Sequence, residues 1–168
     1  MNVTGHLAIG AASYLFAAKT LPNYPVFADA NPATWFLGLV LCLFGSLLPD
    51  IDHPQSSVGS KVKFISYPLS LVFGHRGITH SLLAIALIVW GLYELLYIQS
   101  QSFYVYLAAP VLLGYLSHVI IDAFSPARVR LMYPSQKRYG LALYDGALSQ
   151  LLVYVSILSL SVWYYFAF

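Results

Sequence analysis

A chain of 168 residues that is 60% hydrophobic, 8% charged and has a mean hydropathy of +0.74 is far more apolar than a water-soluble domain of that length. The composition calls for an integral membrane protein, and the length for one transmembrane helical domain spanning 1–168. A net charge of +2, with no basic patch interleaved with aromatics, excludes a nucleic-acid partner.

The first six residues, ending Gly5-His6, lack a basic n-region, so the apolar run at 5–19 is expected to be a retained span. Further apolar runs follow at 33–48, 79–98, 103–121 and 147–167. A helix crosses a bilayer with about 20 residues; the last three runs fit directly and the first two borrow flanking residues. The expected fold class is therefore all-α, a polytopic membrane bundle of about five transmembrane helices. Cys42, the single cysteine, cannot form an internal disulfide and reads as a small packing residue. Gly10, Gly38, Gly45 and Gly114 sit inside the runs, where they permit close helix packing; lining a substrate path is the alternative.

The stretch 49–78 is too polar and too punctuated to cross. Its segment 61–67 is expected in the headgroup plane, broken off by Pro68. Lys61, Lys63 and Arg76 lie before the third run, and Arg128, Arg130, Lys137 and Arg138 between the fourth and fifth. Five crossings put these seven of the eight basic residues on one side, leaving Lys19 on the other. The positive-inside rule makes the basic side cytoplasmic, with the N-terminus inside and Phe168 outside. Trp35, Phe36, Tyr93, Tyr97, Phe103, Tyr104, Tyr106, Trp163, Tyr164 and Tyr165 then fall at the outer face as an interfacial aromatic belt.

This topology gathers all five histidines, with Asp50, Asp52 and Asp122, at the cytoplasmic end. His118 and Asp122, spaced i, i+4, share one helix face and can reach a single ion; a hydrogen-bonded His–Asp pair is the plainer reading. Pro49 and Pro54 make the stretch between them extended, which sets Asp50 and Asp52 on one side and His53 on the other. Carboxylates at i, i+2 suit a hard cation or a bridge between two ions; a solvated turn is the alternative. His75 and His80 flank Gly77, and a break there, with Thr79 as N-cap, lets both converge. Arg76 beside them suits an anionic oxygen. His6 alone is a weak signal and gains weight only from its neighbours. A charged side chain near a helix centre costs on the order of 2.5–3.5 kcal/mol, and several carboxylates just inside the membrane edge are expensive unless a divalent cation offsets them. Such a cation also brings the pKa of water down to about 7.

Gly5-His6, LPDIDHP at 48–54, GHRGITHS at 74–81 and GYLSHVIIDAFSP at 114–126 resemble the YdjM-like family of bacterial inner-membrane proteins. The resemblance runs from about residue 5 to residue 134 through four ordered motifs. It implies a helical membrane fold, a metal-dependent hydrolase, and a metal site built from His6, Asp50, Asp52, His75, His80, His118 and Asp122. The family tends to follow the last aspartate with Thr-Pro and a glycine; here the run is Ser125-Pro126-Ala127-Arg128, so the loop on the substrate side differs.

Seven candidate ligands exceed the three that a catalytic zinc takes from protein, so one or two divalent ions are expected, zinc first, with manganese or magnesium as alternatives. The expected activity is hydrolysis of a phosphoester, lipid or lipid-linked, by metal-activated water at the cytoplasmic membrane face, with an ester or amide left open. Arg76 and Asp52 are the catalytic candidates, and Arg76 and Arg128 the substrate-binding ones. The basic loop residues either hold phosphate or only set topology and touch anionic lipid headgroups. Membrane lipids and a small-molecule or lipid substrate are the expected partners. A metal transporter would place ligands near the midplane, where the runs are almost free of ionisable groups. A metal that only staples helices is the other alternative.

Overall fold

The computed structural model describes residues 3–23, 27, 31–74, 76–99 and 102–167. His75 and residues 100–101 lie outside them. Six α-helices are found among the described residues: α1 (Val3–Thr20), α2 (Pro32–Gly45), α3 (Lys63–Phe73), α4 (Leu82–Gln99), α5 (Ser102–Ala123) and α6 (Gly146–Ala167). Two 3-10 turns, Leu48–Asp52 and Ile78–His80, join them. The described residues form no strand; one isolated bridge pairs Val129 with Tyr139.

All five apolar runs become helices, α1, α2, α4, α5 and α6. Two described segments are long and apolar enough to cross a membrane: Pro32–Asp52, which includes α2, and Gly146–Ala167, which is α6. Within α4 and α5, the stretches Leu82–Glu94 and Ala108–Ala123 are apolar helix. The exterior is apolar. Trp90 on α4 and Leu148, Leu152, Val155, Leu160, Trp163 and Phe166 on α6 are all exposed. Polar groups are instead buried, among them His6, Asp52, His80, His118 and Asp122. A soluble protein distributes these residue types the other way round.

Local chemistry explains the elements. Asn31 caps α2, its side chain accepting from the Ala33 amide at 2.9 Å, and Pro32 takes the first helical position, where no amide is needed. After α2 the chain does not become extended. Pro49 sits at the second position of the 3-10 turn, where its fixed φ suits a helical start. Pro68 likewise does not break its segment but lies inside α3, which loses one hydrogen bond there. α3 exposes Phe64, Tyr67, Leu71 and Val72 along one side and buries Ser66, whose hydroxyl donates to the Gly59 carbonyl at 2.8 Å.

α5 is the central helix, packed against α1, α2 and α4, while α1 also packs on α6. The α2–α5 crossing depends on two glycines. A Cβ on Gly114 would overlap the Cys42 carbonyl and the Ser46 amide; one on Gly45 would overlap the Val111 backbone. The two helices therefore touch backbone to backbone. The contact holds the end of α2, and with it Ser46 and the following 3-10 turn, against the end of α5.

Candidate metal centre

Four segments meet at one end of the bundle. His6 comes from the first turn of α1, Asp50 and Asp52 from the turn after α2, Arg76 and His80 from the chain before α4, and His118 and Asp122 from the last turns of α5. Alternating helix direction brings these starts and ends together.

His118 is fixed first. Its Nδ1 lies 2.6 Å from the Ser46 carbonyl oxygen, which only accepts, so Nδ1 carries the proton and Nε2 presents a lone pair. That Nε2 stands 3.1 Å from His80 Nε2, 3.6 Å from Asp122 Oδ2 and 3.6 Å from Asp50 Oδ1. His80 Nε2 is 3.4 Å from Asp122 Oδ2. Atoms held about 2.0–2.2 Å from one tetrahedral ion lie about 3.3–3.6 Å from one another. Four of the six distances among the His80, His118, Asp122 and Asp50 atoms, 3.1, 3.4, 3.6 and 3.6 Å, are thus close to the edge lengths of a single coordination sphere.

His6 lies flat against His118, with ring centroids 3.6 Å apart and planes within 4°. Its Nε2 is 3.7 Å from Asp122 Oδ1 and 3.9 Å from Asp50 Oδ2, on the outer oxygens of the two carboxylates. Both His6 ring nitrogens are buried without a hydrogen bond, an arrangement that costs free energy unless something further is bound. Two groupings, His6 with His118 and Asp122, and Asp50 with His80 and His118, could hold a metal ion. The donor set of imidazole and carboxylate suits zinc or a similar divalent cation.

Arg76 is the cation built into the cluster. It is only 6% exposed, with Nη2 2.9 Å from Asp122 Oδ2 and Nη1 donating to Ser125 Oγ at 2.9 Å. Its Nε–H is buried and unpartnered. Its backbone is left-handed, φ 58°, beside Gly74 at φ 69°, and this turn lets the Arg76 amide donate to Asp52 Oδ2 at 3.1 Å. One guanidinium against three carboxylates leaves the site negative. Asp50 is the open member, its side chain 17% exposed while Asp52 and Asp122 are fully buried. Nearby, burial pushes the Tyr144 phenol above its ordinary pKa, and it donates to the Ile121 carbonyl at 3.1 Å, bracing the end of α5.

The structure therefore brings together His6, Asp50, Asp52, Arg76, His80, His118 and Asp122. Asp50 and Asp52 do not share a face. A 3-10 turn has three residues per turn, so positions i and i+2 point to different sides. Asp50 faces His118, while Asp52 lies beyond His80, 3.7 Å from its Nδ1. His53 is partly exposed and belongs to neither grouping. Arg128 is exposed on the turn that follows α5, at φ 54°. Thr79 is not the cap of α4; Ser81 is, its hydroxyl accepting from the Ala84 amide at 3.2 Å. Ser46, Ser125 and Tyr115, whose hydroxyl donates to the Thr79 carbonyl, also hold the site. A backbone acceptor such as Ser46 leaves no mark in a sequence. Thr79 stood in a motif but carried no sign of its direction.

An all-helical bundle with an apolar exterior and a buried His/Asp cluster at one end defines a membrane protein with a candidate metal centre. The chain belongs to the YdjM family: the family model described as YdjM inner membrane protein matches residues 1–167. It is 39% identical to the inner membrane protein YdjM of Escherichia coli (strain K12) over 145 residues, covering 84% of this chain and 69% of that protein. The protein of the same name from Shigella flexneri matches equally. The uncharacterized protein YvsG of Bacillus subtilis (strain 168) is 33% identical over 163 residues, covering 96% of this chain and 92% of that one. No solved structure matches.

Proposed function

We propose that this chain is a multi-pass inner-membrane protein that binds one divalent ion, zinc first, at the cytoplasmic face and hydrolyses a phosphoester there, lipid or lipid-linked. The observation that carries this reading is the His80, His118, Asp122 and Asp50 donor atoms, in contact with one another at 3.1–3.6 Å beside a buried arginine. His118 Nε2 belongs to both groupings and has one lone pair, which favours one ion over two. His80, His118, Asp122 and Asp50 would hold it, with His6 against the outer carboxylate oxygens. A bound divalent ion supplies Lewis acidity, polarising a phosphoryl oxygen and acidifying water.

The chain's own groups would do the rest. The open side lies at Asp50, so substrate arrives there. Asp50 Oδ2 and His6 Nε2, 3.9 Å apart, are the pair placed to take a proton from water. Arg76 holds Asp122 in place through an ion pair at 2.9 Å, and its unpartnered Nε–H is a donor for an anionic substrate oxygen. Purified protein loaded with zinc or manganese is expected to cleave at least one of a panel of phosphomonoester, phosphodiester and lipid phosphoester substrates, and His118→Ala to abolish the turnover. Four protein donors also suit a closed, structural zinc site, which favours a helix-stapling metal as the second reading. Bound metal with no turnover on phosphoester, ester or amide substrates would select it.

Five crossings, α1, α2, α4, α5 and α6, with the N-terminus cytoplasmic, fit the alternation of the helices and the basic loops. α3, with Phe64, Tyr67, Leu71 and Val72 exposed, would lie in the inner headgroup plane. In a Cys42→Ser background, Ser60→Cys and Gln136→Cys are expected to react with an impermeant maleimide in inside-out vesicles and to stay unlabelled in intact spheroplasts. Labelling of either from the outside would overturn this topology.

A further inference from the structure

The side of His80 away from the cluster is built as carefully as the side facing it. Its Nδ1 lies 3.0 Å from Thr79 Oγ1, and the Thr79 hydroxyl donates its proton to Asp52 Oδ2. A hydroxyl has one proton. With that proton committed to Asp52, Thr79 Oγ1 offers His80 only lone pairs, so the Nδ1 position must carry a hydrogen. Direct contact between His80 Nδ1 and Asp52 is too long for a hydrogen bond, at 3.7 Å. Asp52 is itself pinned by the Arg76 amide, and the Thr79 carbonyl by the Tyr115 hydroxyl. Every member of this chain is thus held from a second direction.

We propose that Thr79 is a positioning residue that, anchored on Asp52, sets the tautomer of His80 and turns its Nε2 lone pair towards the ion. Asp52 then acts through Thr79 rather than as a ligand. The relay is the counterpart of the Ser46 carbonyl behind His118: each imidazole has an acceptor on Nδ1 and turns Nε2 to the cluster side. Without it, His80 could protonate Nε2 and aim a hydrogen at His118. Partners of this kind usually contribute about 10–100-fold in metal affinity. The proposal rests on the metal-binding reading for its consequence, though the tautomer is a property of the metal-free chain.

Two measurements test it. Zinc affinity by competition with a chromophoric chelator is expected to fall about 10–100-fold in Thr79→Val and to return to wild type in Thr79→Ser. In metal-free wild type labelled with 15N-histidine, the His80 resonance, identified by its loss in His80→Ala, is expected to report Nδ1–H. A wild type that binds no zinc would sink the proposed function, and the nitrogen shifts would still decide the relay. His80 in the Nε2–H form, unchanged affinity in Thr79→Val, or a Thr79→Ser variant as weak as Thr79→Val would each overturn it.

Discussion

Wild-type protein purified in mild detergent is expected to carry one equivalent of a divalent ion per chain, and His118→Ala or His80→Ala to lower this to background with helicity unchanged. Each substitution removes a donor atom that lies 3.1–3.6 Å from its neighbours in the cluster. Asp122→Ala is expected to do two things at once. It releases the ion, and it leaves the Arg76 guanidinium, whose Nη2 lies 2.9 Å from Asp122, buried without its carboxylate. An unpaired buried charge costs about 3–5 kcal/mol, so this variant should also melt markedly earlier than the histidine variants. His53→Ala is the control and should keep full metal content. Elemental analysis alongside thermal unfolding separates these cases. Metal retained at wild-type level by His118→Ala, or a metal-free wild type of full stability, would refute the site.

Gly114→Ala is expected to be among the most damaging single-methyl changes in the chain. Its Cβ would meet the Cys42 carbonyl and the Ser46 amide, both backbone, and backbone in a helix crossing cannot swing aside. Overpacking of this kind costs about 1–3 kcal/mol. The same methyl pushes Ser46 away from His118 Nδ1, now 2.6 Å from its carbonyl, so metal affinity should fall with stability. Gly91→Ala, in the exposed middle of α4, is the contrast. A Cβ there meets nothing within 4 Å, and removing a helical glycine is expected to stabilise by about 0.5–1 kcal/mol. Thermal unfolding of the two variants in one detergent decides the matter; equal melting points would remove the backbone contact as the reason for Gly114.

The sequence determined that the five apolar runs are helical, because such runs have to satisfy their own backbone polar groups, and helices do so segment by segment. It also determined that His118 and Asp122 share one face, since i, i+4 spacing on a helix leaves little choice. The cluster at one end of the bundle was readable because carboxylates and imidazoles are rare in so apolar a chain.

The division of labour among those residues was not readable. Asp50 and Asp52 look equivalent in an extended segment, and the 3-10 turn sends them to opposite sides of His80. Thr79 looks like a cap, and only the fold shows its hydroxyl turned to Asp52. Arg76 looks like a free anion-binder, yet it is held by Asp122 and Ser125. Sequence spacing fixes direction only within one regular element. Between elements, direction is set by where backbones can touch, here by the Gly45–Gly114 crossing that seats the end of α2 against α5, and that contact exists only once the chain has folded.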